Sequence, residues 1–473
     1  MPRNLARSLA VAVSLPLLFS GAYAAASDDR SAPAPGASGI GDPYWPLDGN
    51  GGIDVAAYKI KNRYDVKGQA LKGTTRITLT ATADLSRFNL DFLLRVSSVR
   101  VDGVAAEVDQ TRHELAITPA TPLTAGSSHT VTVKYAGHPG THRYAGEENW
   151  LANDREAVAM NQPHMATWWF PANDHPSDKA LFDISTTVPT GREVIANGNL
   201  VSKKKSKGGT TWRWRADEPM SSYLAFFAAG DFTIQKGTSN GLPWINAVSR
   251  QLSAGEQKAS LKLLGRTPGI VHALAGDLGD YPFSVTGGLT TGLSVFFALE
   301  NQTRPTYPSV GADNVSLVVH ELAHQWFGDD VAVARWRDIW LNEGAATFME
   351  WRYAEQHGAK PAADTMRARY DGIPASDSFW QLSLADPGAA HIFDEPIYDR
   401  GGMALQALRN RIGEEKFWLL IRTWLDTKSG GNGTSEEFEA LAAEVSGQDL
   451  TGFFTAWLRT PAKPAATADN GLA

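Results

Sequence analysis

The sequence predicts an α+β multidomain protein: an N-terminal antiparallel β-sandwich or saddle-shaped domain followed by a mainly helical domain. Three observations predict it. Up to about Gln235 the runs show apolar residues alternating with polar ones, the period of half-buried strands. Beyond Asn246 the apolar spacing becomes helical and the segments lengthen. The 473 residues suffice for two or three domains with sizeable cores.

In chain order, residues 1–24 read as a secretory signal peptide. Arg3 and Arg7 precede an apolar run at 9–19, and Ala22-Tyr23-Ala24 supplies a small-x-small cleavage site. The run is too short and wrongly flanked for a stable membrane anchor, so the expectation is an exported protein, secreted or periplasmic. No later stretch is apolar enough to span a bilayer. Cleavage after Ala24 removes two arginines and no acid, taking the formal charge from −7 to −7 − 2 = −9. Such a balance argues against a nucleic-acid partner. The chain has no cysteine, which excludes disulfides, thiol catalysis and cysteine lipidation, and leaves any zinc to histidine and carboxylate.

Residues 25–43, rich in Ala, Ser, Pro, Gly and Asp, are expected to be a flexible lead-in, and 44–237 the β domain. Thr75, Ile77, Leu79 and Ala81 alternate, 129–135 repeats the pattern, and Asp102-Gly103 between two Val-rich runs signals a hairpin. Lys203-Lys204-Lys205-Ser206-Lys207-Gly208-Gly209 reads as a solvated hairpin tip between strands at 193–201 and 210–215. The helical domain is expected over 238–460, with helices at 253–278 (interrupted near Pro268), 309–327, 341–356, 401–411, 415–425 and 435–445. Residues 461–473 form an Ala/Pro-rich, disordered tail.

The chemistry concentrates between Val315 and Glu350. His320 and His324 are four apart, which on a helix sets both imidazoles on one face. Glu321 lies beside the first, and Glu343 follows after eighteen intervening residues. Two imidazoles and a carboxylate leave a position open for water, the arrangement of a catalytic zinc. A solvent-facing helix with two chance histidines is the alternative, at odds of roughly one in a hundred for the motif. The neighbours Val315, Leu317, Val318, Val319, Leu322, Ala323, Trp326 and Phe327 are apolar, and buried polar groups in such a helix need partners. Asp313 or Asn314 is the expected cap and Gly328-Asp329-Asp330 the stop, with Asp329, Asp330 and Asp394 in helix-end or loop solvation. Glu321 is the candidate general base and Asp338 the candidate to orient a ligating histidine. Trp168, Trp169, Trp336 and Trp340 lie near these motifs, and most are expected in the core.

Further segments stand in a definite order. Phe170-Pro171-Ala172-Asn173-Asp174-His175-Pro176 comes first, then Pro219-Met220-Ser221-Ser222-Tyr223-Leu224 through Gly230-Asp231-Phe232, then Ala298-Leu299-Glu300-Asn301. Trp340-Leu341-Asn342-Glu343-Gly344 and Tyr398-Asp399-Arg400-Gly401-Gly402 follow. With these, the chain resembles the aminopeptidase N family of gluzincins, which includes leukotriene hydrolase, over about 162–458. The resemblance implies a thermolysin-like catalytic domain holding one Zn²⁺ per chain through His320, His324 and Glu343. It implies hydrolysis of the N-terminal residue from peptides with a free N-terminus. Glu321 would be the base, Tyr398 the oxyanion donor, Glu300 the anchor for the α-ammonium, and Gln162, Ala298 and Asn301 further substrate contacts.

The chain departs from that pattern in places. Phe297 stands where the family has Gly, Leu299 where it has Met, and Met160-Asn161-Gln162 where it has Gln-x-Glu. The similarity ends near Leu458, so the expectation is a short form without the C-terminal helical domain and with a more open cleft. Two other readings stay open: a zinc endopeptidase, and a non-catalytic zinc-containing peptide-binding module. Side-chain preference and oligomeric state are not readable from the sequence.

Overall fold

The structure is a computed structural model describing residues 32–472. The signal peptide expected at 1–24 lies outside the described residues. The β half is built on an eight-stranded sheet in the order Asn199–Ser206, Gly209–Ser221, Lys179–Val188, Ile53–Asp65, Ala70–Ala81, Ser128–Gly137, Arg95–Val101, Val104–Ala105. Every pairing in it is antiparallel except that of Lys179–Val188 with Ile53–Asp65, which is parallel. Thr75, Ile77, Leu79 and Ala81 all point into the core, because a period of two on a pleated strand places them on one face. Asp102 and Gly103 both take positive φ, as the tight Arg95–Val101/Val104–Ala105 hairpin requires. The lysine run is only partly a tip. Lys203, Lys204 and Lys205 belong to the sheet's exposed edge strand, and Lys207-Gly208 alone forms the turn; edge charges of this kind discourage further pairing.

A second sheet, in the order Ala34–Pro35, Leu85–Asp91, Glu114–Thr118, Glu107–Gln110, incorporates the start of the described residues. The lead-in is therefore ordered from there: buried Asp42 accepts bonds from the backbone N–H groups of Tyr44 and Trp336 and meets His175. A third sheet joins the halves. Phe232–Ser239 pairs with Leu242–Ser249, which runs parallel to Thr286–Thr290 and so to Thr306–Tyr307. The boundary expected at 237/238 thus falls within a hairpin, and the described residues from Pro33 onward form one compact unit.

The helices are α1 (Ala254–Leu264), α2 (Thr267–Leu278), α3 (Val315–Ala323), α4 (Trp340–Gln356), α5 (Ala362–Gly372), α6 (Glu395–Ile412), α7 (Glu414–Lys428) and α8 (Ser435–Ser446). Ser253 and Glu256 form a capping box on α1, worth about 1 kcal/mol, and Pro268 opens α2 where its missing N–H costs nothing. Helix α5 has a weakly apolar sequence and escapes a periodicity reading. Residues 461–472, expected as a disordered tail, instead pack back on the helices. Tyr370 donates to Pro464 O, Trp457 Nε1 to Asn470 O, and Leu472 is buried. No helix among the described residues is long and apolar enough to cross a membrane.

Candidate active site

Helix α3 presents Val315, Val318, Val319 and Leu322 inward at i, i+3, i+4, i+7, which fixes the orientation of His320 and Glu321. It ends at Ala323, so His324 occupies the C-cap rather than the helix interior. The expected cap is absent: Asn314 stands at the N-cap but makes no side-chain bond there. Glu343 comes from the first turn of α4. His320 Nε2 and His324 Nε2 lie 3.3 Å and 3.2 Å from Glu343 Oε2. Ligands about 2.0–2.1 Å from a tetrahedral zinc stand about 3.3 Å from one another, so the three atoms fit that ion.

The other imidazole nitrogens are committed. His320 Nδ1 is 2.8 Å from Glu350 Oε1, and His324 Nδ1 donates to Phe327 O at 3.0 Å. Each contact turns Nε2 toward the centre. Asp338, expected in this role, instead bonds Arg335 and caps α8 through Ser435, so it orients no ligand.

Tyr398 is brought in by helix packing. A Cβ on Gly344 of α4 would lie 2.8 Å from Gly401 Cα of α6, so the two helices cross backbone to backbone. That approach sets Tyr398, one turn before Gly401, over the imidazole of His320 with ring centroids 5.9 Å apart. Fully buried Arg400 holds the start of α6 through four carbonyls: Trp380, Leu382, Ala456 and Thr460. Burial, then the charges of Glu343, Glu300 and Glu321, raise the Tyr398 phenol well above its ordinary value. The hydroxyl therefore keeps its proton and remains a donor.

These groups face a cavity of about 400 Å³, lined also by Gln162, Phe297, Ala298, Glu300 and Glu321. Burial pushes the Glu321 carboxyl up to about 8, against the lowering influence of His320 and His324. Glu300 is 2% exposed and accepts a hydrogen bond from Tyr223 at 3.1 Å. Gln162 Oε1 is buried with no hydrogen-bond partner among the described residues. Asn301, expected at the substrate, does not reach the cavity. Its amide donates to Leu224 O and accepts from Thr306, which fixes the segment that carries Glu300.

Residues 53–224 match the family model described as the peptidase M1 N-terminal domain, and residues 287–457 that of the peptidase family M1 domain. The chain belongs to peptidase family M1. An M1 zinc metallopeptidase from Deinococcus radiodurans, solved as a mutant bound to Tyr-Ser-Ala substrate, superposes with a TM-score of 0.82 at 27% identity. The match covers 91% of this chain and 100% of that one. Aminopeptidase N of Lactococcus lactis is 25% identical over 87% of this chain and 51% of its own length. Leucyl aminopeptidase of Saccharolobus solfataricus is 26% identical over 63% of this chain and 40% of its own. The chain thus spans about half the length, or less, of these curated M1 relatives.

Three residues of this M1 site were missed from the sequence. Glu350 follows Glu343 by seven, two turns along one helix face, a signal that was available. Gln325 ties the end of the histidine segment to the cavity segment, through Glu300 O at 2.9 Å and Thr303 N at 2.7 Å. Tyr223 lies in a quoted motif, but nothing local marks its contact with Glu300. Asp329, expected to be solvated, is completely buried and neither oxygen has a partner among the described residues. Trp168, Trp169, Trp336 and Trp340 are all core.

Proposed function

We propose that this chain is a zinc-dependent aminopeptidase that removes the first residue of peptides with a free N-terminus. His320, His324 and Glu343 would hold Zn²⁺, which when bound would supply a water of near-neutral pKa and a Lewis acid for the scissile carbonyl. Glu321, which lines the same cavity beside the ligands, would take the proton the water loses and pass it to the leaving amine. Tyr398 donates to the carbonyl oxygen as that oxygen gains negative charge. Glu300 and the free Gln162 Oε1 receive the α-ammonium, which sets the register at one residue.

One observation carries the exopeptidase reading: Glu300, buried in a cavity whose other carboxylates are the candidate ligand Glu343, the base Glu321 and Glu350 on His320 Nδ1, faces the same space as Gln162. The Deinococcus neighbour, held with a tripeptide, supports it. The test is turnover of one peptide with its N-terminus free or acetylated. Free peptide should be cleaved at the first bond and acetylated peptide scarcely at all. Faster cleavage of the blocked form would establish an endopeptidase instead.

The same reading places the mature protein outside the cytoplasm, supported by Arg3, Arg7 and the apolar run that follows them. N-terminal sequencing of exported protein should begin at Ala25.

A further inference from the structure

We propose that Asp91, His113 and Glu114 form a second divalent-cation site, in the β half and apart from the catalytic residues. One donor atom from each lies within 4.8 Å of the others. Asp91 ends the strand Leu85–Asp91, Glu114 begins Glu114–Thr118, and the antiparallel register sets the two directly opposite. Phe92 N donates to His113 O at 2.6 Å and locks that register. Like charges facing each other across a strand pair destabilise it, and Asp91 is entirely buried. The fold therefore holds an arrangement that needs positive charge.

The hydrogen bonds leave the donor atoms open. Asp91 Oδ2 accepts from Asn50 Nδ2 at 3.0 Å and from Asp174 N at 2.7 Å. Asp91 Oδ1, His113 Nδ1 and both oxygens of Glu114 have no hydrogen-bond partner among the described residues. His113 is 4% exposed, so these are buried and costly vacancies for any polar group. Its Nε2 lies 3.4 Å from Asp91 Oδ1 and its Nδ1 3.6 Å from Glu114 Oε1. Both exceed ordinary hydrogen-bond lengths; a single ion takes only one of the two ring nitrogens, and the Nε2–Asp91 separation is close to the 3.2–3.3 Å ligand spacing of the catalytic histidines, with the Glu114 donor within the 4.8 Å bound.

The surroundings support binding. The His113 ring stacks flat on Tyr144 with centroids 3.7 Å apart, and Tyr144 donates to Asp48 at 2.6 Å, so the ring is held. Arg143, near the mouth, is engaged with Glu148 and does not neutralise the pair. A cavity of about 600 Å³ bounded by His113, Glu114 and Tyr144 provides entry. One imidazole with two carboxylates suits Zn²⁺ or Mn²⁺.

The full chain, stripped by a chelator, should be titrated with Zn²⁺ and separately with Mn²⁺, reading stoichiometry by calorimetry and elemental analysis. Wild type should bind two equivalents of at least one ion. Glu114→Gln, which breaks no hydrogen bond, should lose one equivalent or weaken it more than about tenfold, the scale reached when even an outer partner of a ligand is removed. Peptidase activity should be retained. Glu343→Gln should keep the second equivalent, and zinc should still raise its melting temperature. Adding Glu114→Gln to that variant should abolish the rise. A single equivalent for both ions, as expected if His113 is an imidazolium bridging the carboxylates, overturns the proposal. So does a second equivalent that survives Glu114→Gln.

Discussion

Two clusters in this molecule combine histidine with carboxylate at nearly the same spacing, and they differ in what surrounds them. His320 and Glu343 lie on helices, His324 caps the first of them, and all three look into a cavity shared with Glu321, Tyr398, Glu300 and Gln162. Asp91 and Glu114 lie on paired strands and His113 in the turn just before the second, beside a cavity lined by no other carboxylate among the described residues. The ligands alone thus do not make a catalytic centre. A proton carrier and a hydroxyl donor placed in the same space do.

The sharpest way to break that distinction is to remove the proton carrier and keep the ligands. Glu321→Gln should lower kcat by about 10²–10⁴-fold with zinc content unchanged, measured by steady-state kinetics and elemental analysis. Activity near wild type would leave the catalytic cluster no different in kind from the strand cluster. Tyr398→Phe comes next. It should lower kcat by about 10²–10³-fold and leave KM nearly constant, since the hydroxyl acts on charge that develops late. A raised KM at constant kcat would make Tyr398 an ordinary binding contact.

The clusters also differ in how far the sequence displays them. His320 and His324 are four apart, and their helix brings them together by its own period, so the pair is legible locally. Glu343 and Glu350 extend the same rule along α4. Asp91 and Glu114 meet only through strand register, twenty-three residues apart, and no spacing announces it. The alternation of Thr75, Ile77, Leu79 and Ala81 showed the main sheet. Its parallel pair and the ordered tail depend on long-range contacts that periodicity does not encode, whereas the hairpin across 237/238 turns at Asn240-Gly241, a local signal that the expected domain boundary overrode. Asn301 shows the same limit: the motif marked it, but only packing reveals that its amide is occupied by Leu224 and Thr306.

A smaller effect tests how the helical cluster is assembled. Gly344→Ala places a methyl 2.8 Å from Gly401 Cα, where backbone cannot yield cheaply. Overpacking of this kind should cost about 1–3 kcal/mol, read by denaturant unfolding, and should lower kcat because Tyr398 moves relative to Glu343. Gly372→Ala, whose added methyl meets nothing within 4 Å, is the control and should change neither. Equal stability for both variants would mean that the helix crossing does not set the site.

The last test probes the strand cluster's surroundings. His164 stands edge-on to Tyr144, the ring that stacks on His113, and its nitrogens face Asp48 and Glu147. Burial alone would depress its pKa, but the bonds to Asp48 and Glu147 prevail and raise it to about 10. Because that value lies above the 6.5 of a free histidine, folding takes up a proton between the two. The stabilisation is complete below about pH 6.5 and is lost as pH rises toward 10. The stability difference between wild type and His164→Gln should therefore shrink across that window, by at most about 1.4 kcal/mol per pH unit, and be flat below it. Urea unfolding of both proteins at several pH values measures this. A difference independent of pH would mean that His164 is neutral in the fold.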